Sequence, residues 1–127
     1  VVKINGVRDN AALINEIYKS LRLTESDVTK DYIEQVLKLI VVFDQKQRDY
    51  GPGNINAFGE MGVLVRSSDK LARIKRLMEK EVERNSEDGS YKELPANEPI
   101  EDSWGDLHVY SAIALMVRGG KWPKDNL

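Results

Sequence analysis

Residues Tyr32–Asp49 read YIEQVLKLIVVFDQKQRD, and whether this stretch is strand or helix decides the fold. Its centre, Val36–Phe43, holds three valines and an isoleucine, residues that favour strands. Its flanks argue the other way. They prolong the segment from about Val28 to Asp49, some 22 residues without Gly or Pro, much longer than an ordinary strand. The spacing predicts a helix that is apolar nearly all round, central in a bundle or buried at an interface.

Working outward, the same periodicity predicts three more helices. Asp9 or Asn10 can cap a first one running to about Leu23, with Leu13, Ile14, Ile17, Tyr18 and Leu21 as its apolar stripe. Leu23–Asp27 interrupts the pattern with capping residues. Tyr50–Asn56, with two Gly, one Pro and two Asn, is a break. A third helix is expected from about Phe58 to Arg84, with Val63, Leu71, Ile74, Leu77 and Met78 on one face. Residues 85–97 form the longest loop. Pro99 fits the first position of a last helix, capped by Asn97 or Glu98. Acidic residues crowd its first turn, where the helix dipole favours them, and Gly119-Gly120 followed by Pro123 ends it. Four helices and no hairpin predict an all-α four-helix bundle, a single domain over residues 1–127 with a short arm at 1–9.

Composition narrows the chemistry. The chain has 127 residues, 19 Lys+Arg against 21 Asp+Glu, one histidine and no cysteine. Near-neutral charge argues against strong nucleic-acid binding, which needs a basic excess. The absence of cysteine excludes disulfides, thiolate metal sites and a cysteine nucleophile. A lone His108 excludes zinc sites built from several imidazoles. No apolar run approaches membrane-spanning length and no secretory leader is visible, so a cytoplasmic location is expected. Carboxylates, Lys, Arg, Tyr and Asn remain to carry any activity.

Two constellations stand out. Glu98, Asp102 and Asp106 rise along one face of the last helix at i, i+4, i+8. Val109, Tyr110, Ile113 and Val117 continue that face, so the acidic row extends the stripe that packs inward. Stacked carboxylates repel unless a cation intervenes. That cation is either a divalent metal, with Mg²⁺ suiting carboxylate oxygens, or Lys or Arg from another helix. The third helix carries Arg66, Asp69, Lys70 and Arg73 beside its apolar face. They form either an internal salt-bridge strip or a phosphate clamp. The loop asparagines Asn54 and Asn56, with Tyr50 and Phe58, can read and stack a base; the alternative is a tight turn. His108 falls nearly opposite the acidic row and reads as a packing or interface residue.

Two stretches, KQRDYGPGNINAFGEMGVLVRSSDKLARIKRL from Lys46 to Leu77 and NEPIEDSWGDLHVYSAIALMVRGGKW from Asn97 to Trp122, together about sixty residues, resemble the phage and bacterial family called nucleotide modification associated domain 1. The shared elements are Asp49-Tyr50-Gly51, Phe58-Gly59, Arg66-Ser67-Ser68-Asp69-Lys70 and Glu98 through Tyr110. That family is distantly similar to the all-α nucleoside triphosphate pyrophosphatases of MazG-like fold. The resemblance implies a homo-oligomer that binds nucleotides and a Mg²⁺ ion held by Glu98, Asp102 and Asp106. Asp102 and Asp106 would serve catalysis, while Arg66, Asp69 and Lys70 serve the phosphates. The earlier E-x-x-E pair of those enzymes is missing here, where Glu60, Arg66, Asp69 and Lys70 stand instead.

Three functions are therefore expected to compete. The first is a nucleotide-binding, MazG-like protein acting as a Mg²⁺-dependent nucleoside triphosphate pyrophosphohydrolase. The second is a non-catalytic phage protein that sequesters a nucleotide, a cyclic nucleotide or an ADP-ribose-type immune signal. The third is an assembly role, with Val36–Phe43, Trp104 and Trp122 at an interface.

Overall fold

The computed structural model describes residues 10–86 and 99–122. These form four helices and no strand, in the order α1 (Ala11–Leu21), α2 (Asp27–Tyr50), α3 (Gly53–Ser86) and α4 (Ile100–Arg118). The fold is all-α, as the unbroken length of Val28–Asp49 implied. The arm at 1–9, residues 87–97 of the expected loop, and Pro123 lie outside the described residues. The chain divides into two compact units, one ending at Asp49 and the other beginning at Tyr50.

In the first unit, α1 ends at Leu21, the last residue of its apolar stripe and two short of the expected end. Arg22 adopts a left-handed conformation at φ 54°, and the Leu23 amide donates to the Tyr18 carbonyl at 3.0 Å. That is a Schellman-type stop built without the usual glycine. Asn10 occupies the cap position, but its side chain makes no capping bond. Ser26 begins α2: its hydroxyl oxygen accepts from the Thr29 amide at 3.1 Å, satisfying one of the orphan donors of the first turn. Tyr18 donates its hydroxyl to the Ser26 carbonyl at 3.0 Å, joining the two helices beside this cap. The central burial expected of α2 is not met. Ile33 is its buried residue, Val36, Leu37 and Phe43 are half-buried, and Ile40 is exposed.

The second unit is an α3–α4 hairpin. The break before α3 is shorter than expected. Gly51 takes a positive φ of 68°, and helix resumes at Gly53. The Pro52 carbonyl starts the new helix, accepting the amides of Ile55 and Asn56 at 3.2 Å each. A proline can do this because it contributes an acceptor and needs no donor. Within α3, Gly59 sits at φ 62°, ψ −153°, which breaks the helix after its first turns; this is a conformation essentially reserved for glycine. Beyond the break the long segment runs on to Ser86. Pro99 is the cap of α4 rather than its first helical residue, and its carbonyl accepts the Asp102 amide at 3.0 Å. Gly119-Gly120 does end α4, with Gly120 in the left-handed region and the Lys121 amide on the Met116 carbonyl at 2.8 Å.

Three contacts fix the hairpin's direction. Trp122 Nε1 donates to the Pro52 carbonyl at 3.2 Å, Arg118 pairs with Glu60, and Lys70 pairs with Asp106. Advancing along α3 means retreating along α4, so the helices are antiparallel. The seam between them buries Val63, Ile74 and Leu77 of α3 and Val109 and Ile113 of α4, each contributing roughly 1.5–3 kcal/mol by removal from water. Tyr110 and Val117 are half-buried beside them. Leu71 and Met78, expected on this inner face, are exposed instead. The apolar arc of α3 is wider than one neighbouring helix covers. Trp122, expected at the surface with Trp104, is buried, while Trp104 is half exposed.

Candidate functional site

The seam places one pair of the expected site residues in contact. Lys70 Nζ lies 2.9 Å from Asp106 Oδ2, with side chains 21% and 11% exposed. The sequence pattern explains both positions. Asp106 continues toward the helix start the stripe that buries Val109 and Ile113. Lys70 lies one heptad from both Val63 and Leu77, the buried residues of α3. Two oppositely charged groups thus occupy facing positions of a mostly apolar seam. Arg66 and Arg73, one turn either side of Lys70, are half-buried, so three cationic side chains occupy about two turns of α3.

Two members of the acidic row lie among the described residues, and they differ in burial: Asp106 is buried. Asp102, one turn before Asp106, is exposed, and Glu98 lies outside the described residues. The Asp106 carboxylate is held by an ammonium group of the chain itself. Among the described residues no three carboxylate or imidazole side chains converge to hold a metal. Asp106 thus takes a lysine from another helix, the second of the two cations anticipated for this row. Asp69 is exposed, as is His108 on α4.

The residues read as base contacts occupy the other end of the hairpin. Tyr50, Asn54 and Phe58 are exposed, and Asn56 is half-buried with Nδ2 enclosed and unbonded. All precede the Gly59 break. From Glu60 to Lys70 alone the helical rise is about 15 Å, so the aromatic and asparagine group does not meet the Lys70–Asp106 pair at one point. A ligand touching both must lie along α3.

Ser103 escaped notice in the sequence. It is fully buried, with its hydroxyl unbonded, three residues before Asp106 on the seam side of α4. The i−3 spacing from Asp106 was the available signal. Glu60 and Arg118, which close the seam's other end with an exposed ion pair at 3.0 Å from Nε to Oε1, were also not marked as partners.

Comparison with protein-family models, curated proteins and solved structures finds no match to this chain.

Proposed function

We propose that this chain is a nucleotide-binding protein whose phosphate contacts are the cations of α3, Arg66 and Lys70. The observation that carries the reading is the Lys70–Asp106 pair inside the seam. Enclosing two charges costs several kcal/mol each in lost hydration, and their attraction only partly repays it. Such a pair is a poor stabilising device, and its presence in the seam supports a role other than stability. Flanked by Arg66 and Arg73, it offers guanidinium and ammonium groups to phosphate oxygens. Asp106 then holds Lys70 in place until an anion arrives. The exposed rings of Tyr50 and Phe58 supply stacking surfaces toward the other end of α3.

The second reading, Mg²⁺-dependent pyrophosphohydrolysis in a MazG-like fold, is favoured by the Asp102 to Asp106 spacing and by the sequence resemblance. Calorimetry with nucleoside triphosphates, cyclic nucleotides and ADP-ribose, with Mg²⁺ and with a chelator, tests both. Saturable binding in chelator, weakened about tenfold by Arg66→Ala, and recovery of intact ligand after denaturation are expected. Pyrophosphate release with Mg²⁺, abolished by Asp106→Asn, establishes the second reading. Absence of binding to every ligand overturns both.

A further inference from the structure

The buried seam uses one side of α3, but the helix carries a second apolar stripe that the fold leaves in water. Leu64, Leu71 and Met78 recur every seven residues, with Met61 and Val82 at the alternate positions of the same repeat. Leu71, Met78 and Val82 are 53%, 45% and 67% exposed. The stripe passes through an open groove of about 620 Å³ that Trp104 of α4 borders. A repeat of apolar residues alternating at three and four positions along a helix is the pattern that seats a second helix.

We propose that this face docks a second copy of the chain, α3 against α3, antiparallel about a two-fold axis between Arg76 and Leu77. The charges bordering the groove select that occupant and that direction. Lys75 is its cation; Glu79 and Glu83 follow it toward the C-terminal end. A parallel copy sets Lys75 on Lys75. An antiparallel copy sets Leu71 against Val82 of the second copy and lays the Lys75 stem along its Met78, with the ammonium reaching its Glu79. The symmetry then repeats every contact, giving two charge pairs beside the axis and an apolar layer at each end. Trp104 adds an aromatic wall to each half.

The experiment uses the absence of native cysteine. Within one helix, positions 71 and 82 are about 16 Å apart, too far for a disulfide, which needs Cα atoms within about 7 Å. Under mild oxidation the full chain carrying both Leu71→Cys and Val82→Cys should form a covalent dimer, and neither single variant should. Sedimentation of the native chain should give twice the 14.4 kDa chain mass. Met78→Glu should weaken self-association at least tenfold without loss of helical circular dichroism. Lys75→Glu should weaken it too, and Lys75→Glu with Glu79→Lys should restore it. A native chain of monomer mass at every concentration overturns the proposal. So does a dimer indifferent to Met78→Glu, or one that cross-links through Leu71→Cys alone.

Discussion

Lys70 and Asp106 share a low-dielectric seam, so each depends on the other. Lys70→Met should cost about 3 kcal/mol, because it takes an ammonium group away from an enclosed carboxylate. Replacing both, Lys70→Met with Asp106→Leu, should recover most of that loss in urea denaturation. Equal stabilities of the single variant and the native chain would show that Asp106 finds other compensation. Ser103 predicts the opposite sign. Its hydroxyl is enclosed and unbonded, so Ser103→Ala should be neutral or stabilising by up to about 1 kcal/mol in the same assay. Both members of the ion pair were legible as candidates, Asp106 from its place on an apolar stripe and Lys70 from its cationic strip. A Lys or Arg from another helix was one of two cations expected for the acidic row; which cation meets which carboxylate was not legible. Which residue of α3 faces which residue of α4 depends on packing along the whole hairpin, and no local spacing encodes it. Serine reads as a surface or capping residue, which hid Ser103.

Among the elements, helix ends follow local chemistry closely. Gly119-Gly120 marked its stop because a left-handed residue after a helix is most cheaply a glycine. Arg22 does the same task against its preference, closing α1 directly after Leu21, the last residue of its stripe. Arg22→Gly should raise the thermal midpoint, worth about 0.5–1 kcal/mol. Gly59 gives the complementary test. No atom crowds the position where its side chain would start, so the cost of Gly59→Ala is conformational, about 1–3 kcal/mol. A smaller loss would mean that the break relaxes. Gly62 is constrained differently: a Cβ there would collide with the Phe58 side chain, which the break turns back over it. α3 starts earlier than expected, at Gly53, although Gly-Pro-Gly-Asn has turn composition. Proline's carbonyl nonetheless serves a following helix well. Leu71 and Met78 depart from the expected inner face because apolar periodicity locates a face but does not say how much of it a neighbour covers.

For the whole molecule, fold class came from one long segment without Gly or Pro, and the structure agrees with it. Among the described residues no helix is long and apolar enough to cross a membrane. Charge summed over the chain conceals its distribution, since a cationic strip on one helix faces a buried carboxylate on another. If phosphate contacts dominate ligand binding, affinity should fall steeply as salt rises, because exposed charges are screened within about 10 Å at 0.1 M. An affinity unchanged by salt would assign recognition to the aromatic end instead.

The contrast between the two tryptophans makes the chain its own optical probe. Trp122, enclosed and bonded to the Pro52 carbonyl, sits where the two ends of the hairpin are fastened. Trp104 stands at the groove. In chain dilute enough to be monomeric, acrylamide or iodide should quench Trp104 and spare Trp122, splitting the emission into an accessible red component and a shielded blue one. Red-shifting of the shielded component then reports opening of the hairpin. Protection of the accessible one reports a partner arriving on α3, and no label is needed for either.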